Sequence, residues 1–464
     1  MSAVFPAITR LYAPSAMLAE GWANDVLVEI DEAGWIQRIE AGVGPGDAER
    51  AAGPLLPGIP NLHGHAFQRA MAGLAEHASA PEDSFWTWRE VMYRFVDRLG
   101  PEEAQAIAAQ LYVEMLEAGY TAAAEFHYLH HALDGRPYAD PAEIGRRVAA
   151  AAVEEGMGLT LLPVLYAQGG FGGQVPGDAQ RRFINDIDNF QKIVEVLYED
   201  GAGDPNRATG IAPHSLRAVT EGQLREAVEA LNRLDTAAPI HIHVAEQLQE
   251  VRDCLLWSGR RPVRWLLDRF EVDRRWCLVH ATHIDAGECR DLAASGAVAG
   301  LCPTTEANLG DGLFPALDYQ RSGGTWGIGS DSHISVNPWE ELRLLEYGQR
   351  LAHQRRNLLR PAEGGALGGS LYRQALAGGS QACGRPIGVL APGRRADFLV
   401  LDSAAPALWN REGDALLDAA VFGGFPLPVR DVAVGGRWVV REGRHPQRDA
   451  VAEGYRAALS RLLA

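Results

Sequence analysis

"PLLPGIPNLHGH", residues 54–65, closes an apolar run with two histidines separated by a single glycine. A short uncharged run bounded by proline and glycine reads as a buried strand. Alternate residues of a strand share a face, so His63 and His65 point the same way. Two imidazoles side by side at a strand end can grip one transition-metal ion; in a loop the same pair would only face solvent. The rest of the chain decides between these, by how many comparable strands it holds and what stands at their ends.

Seven more apolar runs follow: "TAAAEFHY" (121–128), "LTLLPVLY" (159–166), "TGIAPHS" (209–215), "PIHIHVAE" (239–246), "RWCLVHAT" (275–282), "AVAGLCPT" (297–304) and "TWGIGSD" (325–331). Amphipathic stretches such as "PEEAQAIAAQLYVEMLEAG" (101–119) and "TEGQLREAVEALNRL" (220–234) lie between them. Eight strands alternating with helices predict an α/β protein built on a (β/α)8 TIM barrel over residues 54–387, its site at the C-terminal ends of the strands. The flanks differ: "VLVEIDEAGWIQRIEAG" (26–42), "GVLAPGRRADFLVLD" (388–402) and "VRDVAVGGRWVVREGRH" (429–445) are β-like and rich in turns. Residues 1–53 and 388–464 are therefore expected to pair into one small β-sandwich module made from both ends of the chain.

The composition, 47% hydrophobic and 22% charged over 464 residues, is that of a globular protein large enough for a barrel and a smaller module. A formal net charge of −17 argues against nucleic acid or an anionic membrane as partner. An anionic small molecule remains compatible where arginines gather locally. The N-terminal stretch has no basic start followed by a continuous apolar segment, and no apolar run reaches membrane-spanning length. The five cysteines (Cys254, Cys277, Cys289, Cys302, Cys383) are odd in number and form no CxxC pair, so they are expected as reduced core thiols of a cytoplasmic protein. "QGGFGGQVPG" (168–177) lacks the ending of a phosphate loop and is expected as a flexible loop over the barrel mouth.

Three further strand ends carry candidate chemistry. "HIHVAE" places His243 near the end of the fifth strand and Glu246 just past it; "LVHATH" ends the sixth in His280; "GIGSDSH" ends the eighth in Asp331. Singly, each has an ordinary reading: a strand histidine is usually hydrogen-bonded in the core, as expected for His241, and an Asp after a strand often caps a helix. Together, His63, His65, His243 and Asp331 would converge at one mouth and make a site for Zn²⁺ or Fe²⁺.

"HGH" after the first strand, "HVAE" at the fifth, His at the sixth and "SD" at the eighth resemble the amidohydrolase superfamily, in its deaminase branch. The similarity runs along nearly the whole chain and includes "GVLAPGRRADFLVLD" and "VAVGGRWVVREG" in the C-terminal flank. It implies metal ligands at His63, His65, His243 and Asp331, with Glu246, His280 and Asp331 as catalytic groups. Many such proteins bridge two metals with a carbamylated lysine; here Lys192 is the only lysine, and it lies in a helical pattern. One divalent ion is expected, Zn²⁺ foremost and Fe²⁺ as the alternative.

"AFQRAMAGLAE" (66–76), "SFWTWREVMYRF" (84–95), "EFHYLHH" (125–131) and "APHSLRAV" (212–219) are similar to the formimidoylglutamate deiminase family of histidine degradation. That resemblance implies hydrolysis of N-formimidoyl-L-glutamate to N-formyl-L-glutamate and ammonia, with substrate contacts at Gln68, Arg89, Tyr128, His214 and Arg217, and a homodimer. The chemistry agrees, since a glutamate derivative offers two carboxylates and a guanidinium fork binds a carboxylate through two hydrogen bonds. The alternatives are another deaminase of the superfamily, acting on a guanine-like ring or N-formimidoyl-L-aspartate, and a non-catalytic relative that keeps the barrel as a scaffold. The residues leave open which carboxylate, Glu246 or Asp331, moves which proton.

Overall fold

A computed structural model describes residues 5–76, 85–424 and 428–464. The "PLLPGIPNLHGH" run is two strands rather than one. Leu55–Pro57 pairs antiparallel with Phe398–Leu401 in the flanking sheet, and Ile59–Gly64 opens the barrel. Gly58 makes the break: a Cβ there would lie 2.2 Å from the Thr121 side chain, so only glycine lets the chain pass from one sheet to the other. The boundary expected after residue 53 thus falls just ahead of the last N-terminal strand of the flanking sheet.

Parallel pairing then runs around a ring. Ile59–Gly64 joins Tyr120–His127, which joins Gly158–Leu165, which joins the short fourth strand, Arg207–Thr209 and Ala212–Pro213. Bridges from Ile211 to Ile240 and from Ser215 to His243 carry the ring to Ile240–Val244, and Trp276–His280, Val298–Leu301 and Thr325–Ile328 follow in order. Closure comes at the site itself: the Asp331 amide donates to the His63 carbonyl and the His65 amide to the Asp331 carbonyl, each at 3.0 Å. Strands two and three are buried along their whole length because helices cover the outside and side chains fill the inside.

The expected helices form where their sequences stop and start them. Pro101–Ala118 begins on a proline and ends at Gly119, whose φ of 105° supplies the left-handed cap. Glu221–Leu234 is opened by a Thr220/Gln223 capping box. The flanks meet in one eight-stranded sheet, where a β-sandwich was expected, and apolar residues from both ends, among them Leu11, Val28, Phe398 and Trp438, share one cluster. The C-terminal helix Arg448–Leu463 leaves that sheet and packs Leu462 against the apolar cluster of Ala104 and Ile107 on the barrel. All five cysteines are free and buried. No helix among the described residues is long and apolar enough to cross a membrane.

Candidate functional site

At the C-terminal mouth the strand-end histidines and Asp331 meet. His63 Nε2 and His65 Nε2 lie 3.3 and 3.2 Å from Asp331 Oδ1, and His63 Nε2 lies 3.0 Å from His243 Nε2. His241 sits one layer below, wholly buried and bonded through Nε2 to the Ala382 carbonyl at 2.8 Å, the core role expected of it. The spacing residue of HGH is constrained too: a Cβ at Gly64 would lie 2.4 Å from the His333 ring.

The donor set fits a metal ion. Burial lowers the His63 pKa to about 3 and that of His243 well below its ordinary value, so both rings are neutral with a lone pair to give. His65 donates from Nδ1 to the Phe126 carbonyl at 2.8 Å, which leaves Nε2 as its lone-pair nitrogen. Burial pushes the Asp331 carboxyl up, but the His63, His65 and His280 rings that face it outweigh burial and hold the group well below the usual carboxylate range. Bonds of about 2.0–2.1 Å to a tetrahedral ion place neighbouring donors about 3.3 Å apart, close to the separations these atoms keep. His280 also enters this space, since one atom each of His63, His243, His280 and Asp331 lie within 4.8 Å of one another. Its Nε2 is 3.8 Å from Asp331 and 3.9 Å from Glu246, and its Nδ1 is 3.3 Å from Glu306. Burial alone would lower the His280 pKa; Glu246, Glu306 and Asp331 outweigh it and raise it to about 10. A protonated ring would have no lone pair, which would leave His280 a donor and His65, its Nε2 3.2 Å from Asp331, the candidate ligand.

The turns beyond the strands aim these groups through strained backbone. Ala245, His280, Ala281 and Asp331 all have positive φ, between 45° and 67°. The Glu250 carboxylate holds the turn after the fifth strand by accepting from the Ala245 and Glu246 amides at 3.0 and 3.1 Å. Burial raises the Glu246 pKa, opposed by His280 and Arg217. Glu306, on the short helix Pro303–Leu309, accepts from the Cys302 amide at 2.9 Å and orients His280. Neither Glu250 nor Glu306 stands out in the sequence; a carboxylate a few residues past a strand end is the one signal that could have found them.

Above this floor opens a cavity lined by all five expected substrate contacts, Gln68, Arg89, Tyr128, His214 and Arg217, and by Glu246, His280 and Asp331. Arg89 donates to the Tyr166 hydroxyl at 3.1 Å and stacks over Tyr93, its guanidinium 5.1 Å from the ring. The buried Arg217 Nε meets no acceptor among the described residues. Gln68 donates to Tyr128 at 2.7 Å and its buried Oε1 meets no donor among the described residues, and His214 packs 4.5 Å from Tyr166 with its pKa lowered by burial and by Arg217. Trp88, Met92, Tyr166 and Phe183 also line it and do not stand out in the sequence, because apolar and aromatic side chains on helices and loops look like core. Ser84 of the "SFWTWREVMYRF" motif lies outside the described residues. The glycine-rich 168–177 stretch does not line the cavity: Phe171 buries itself against Trp257, ring centroids 5.4 Å apart, and ties the loop to the helix Leu248–Ser258. Lys192 is exposed on the helix Ile187–Gly201, so no lysine reaches the mouth.

Comparison with known proteins agrees with this geometry. The pattern of the amidohydrolase family matches residues 55–439. The formimidoylglutamate deiminase of Pseudomonas aeruginosa is 55% identical over 458 residues, 98% of this chain and 100% of that protein. The crystal structure of an amidohydrolase from Brucella melitensis superposes with a TM-score of 0.94 at 49% identity, covering 98% of this chain and 100% of that one. An adenosine deaminase from Xanthomonas campestris with bound zinc shares the fold, with a TM-score of 0.80 at 20% identity over 99% of this chain and 100% of that one. Barrel, metal-type donor set and full-length similarity coincide: this chain belongs to the amidohydrolase family.

Proposed function

We infer that this chain is a metal-dependent deiminase that hydrolyses N-formimidoyl-L-glutamate to N-formyl-L-glutamate and ammonia, a step of histidine degradation. The observation that carries the reading is the 55% identity, over the full length of both chains, to a formimidoylglutamate deiminase. The geometry supports it: Arg89 and Arg217 line one cavity above the histidine–carboxylate floor, two guanidiniums for a substrate with two carboxylates. His63, His65, His243 and Asp331 would hold one divalent ion, Zn²⁺ or alternatively Fe²⁺. That ion would supply Lewis acidity that brings the pKa of water towards neutrality. Asp331 is the base beside the water. Glu246, on the same cavity wall, carries protons to the leaving nitrogen. His280, with its proton held by three carboxylates, donates to the oxygen that adds to the formimidoyl carbon. Both protons of the water end on the departing nitrogen: one as water adds to the C=N bond, the other as the C=O bond forms and ammonia leaves. Gln68, Tyr128 and His214 complete the substrate contacts.

A cytoplasmic homodimer completes the proposal. The unpaired buried cysteines support a reducing compartment, and the dimer rests on the resemblance to the family. The decisive measurement is steady-state ammonia release from N-formimidoyl-L-glutamate, N-formimidoyl-L-aspartate and guanine. The glutamate derivative is expected to give the highest kcat/KM, and a preference for guanine would overturn the reading.

A further inference from the structure

Tyr166 follows the third barrel strand and faces the cavity, only 5% exposed. Its oxygen receives two hydrogen bonds, from Arg89 Nη2 at 3.1 Å and from Gln180 Nε2 at 2.7 Å. The backbone fixes the direction of the second. The Gly177 amide donates to Gln180 Oε1 at 2.8 Å, and a peptide N–H can only donate, so the amide oxygen must stand there and the NH₂ must face Tyr166. A guanidinium likewise carries donors alone. The two neighbours occupy the acceptor capacity of the phenol and leave its O–H free to donate. Among the described residues none accepts that proton.

We propose that Tyr166 is a specificity-determining residue that donates its hydroxyl proton to the substrate carboxylate received by Arg89. This rests on the dicarboxylate reading of the substrate. Arg89 N–H and Tyr166 O–H stand side by side on one wall, and a carboxylate has acceptor sites enough for both. Arg217 stands in the field of the same phenol, which places Tyr166 among the cavity's cations. A ligand without the acid offers no acceptor to the buried Tyr166 O–H, and that loss discriminates against it. Gln180 acts through Tyr166 and is a positioning residue: it keeps the phenol from turning its proton away from the cavity.

The test is Tyr166→Phe, assayed on N-formimidoyl-L-glutamate, on N-formimidoyl-4-aminobutyrate, which lacks the α-carboxylate, and on N-formimidoyl-L-glutamine, whose γ-acid is an amide. A hydrogen bond to a charged group predicts KM about tenfold or more above wild type on the parent compound. The expected kcat is nearly unchanged and the metal content unchanged. On whichever analogue lacks the acid bound by Tyr166, wild type and variant should agree within about twofold. An unchanged KM on the parent, or the same penalty on all three compounds, overturns the proposal. Tyr166→Leu, which keeps an apolar side chain beside His214, carries the same expectation if the phenylalanine variant does not fold. Wild-type protein that releases no ammonia from N-formimidoyl-L-glutamate would instead overturn the function itself.

Discussion

Glu246 reaches the cavity only because Glu250 pins the two amides ahead of it and Ala245 accepts a left-handed conformation. The substitution Glu246→Gln keeps the shape and removes the titratable proton. The ligand set is untouched, so metal content should stay stoichiometric while kcat falls by about 10²–10⁴-fold; near-wild-type turnover would assign the proton transfer elsewhere. A second single-residue effect lies outside the site. His127 is buried, its Nε2 without a partner among the described residues, and burial lowers its pKa to about 4 from 6.5. Between those values the unfolded chain binds a proton that the native chain does not, so stability rises with pH across this window and is lost as pH falls through it. The shift corresponds to roughly 3 kcal/mol. Urea unfolding of His127→Gln between pH 6.5 and 4 should show a slope of stability against pH shallower than wild type by nearly one proton. Identical slopes would mean that His127 titrates normally in the fold.

The elements explain which parts of the site could be read in advance. Strands one, five, six and eight each end an apolar run with His, Glu or Asp, and that contrast marks His63, His243, His280 and Asp331. Glu306 is hidden because it arrives on a seven-residue helix after the seventh strand, and only pairing of strands six and seven brings it to His280. Tyr166 is hidden because its hydroxyl gains meaning from Gln180, fourteen residues on in a short turn of helix. The one misread strand, "PLLPGIPNLHGH", has continuous apolar character on both sides of Gly58, and the break depends on Thr121, a residue of the neighbouring strand. Glu306 gives the test at this scale. Glu306→Gln keeps a side chain that can accept from the Cys302 amide and removes one of three carboxylates around His280. Expected is a kcat lowered about 10-fold or more, with KM for the dicarboxylate and metal content unchanged. A rise in KM alone would show that the helix shapes the cavity and leaves His280 unaffected.

Across the whole molecule, the proposed ligands come from positions 63 to 331, and the barrel closes at the same place they meet. Asp331 joins strands eight and one through its backbone while its carboxylate faces His63 and His65. An ion held there binds the native ring and has no comparable site in the unfolded chain, so it stabilises by mass action. Stripped with a strong chelator, the protein should therefore unfold at a lower temperature. Adding back zinc in excess of its Kd should raise stability by about 1.4 kcal/mol for each tenfold increase in free ion. His63→Asn should flatten that dependence, since it removes a donor from the centre of the cluster. The flanking sheet offers an internal control: its apolar core of Leu11, Val28, Phe398 and Trp438 contains no ligand, so Phe398→Leu should lower Tm equally with and without zinc. A Tm that ignores zinc in the wild-type chain would remove the ion from this site, and with it the reason for the histidines to gather at the seam of the barrel.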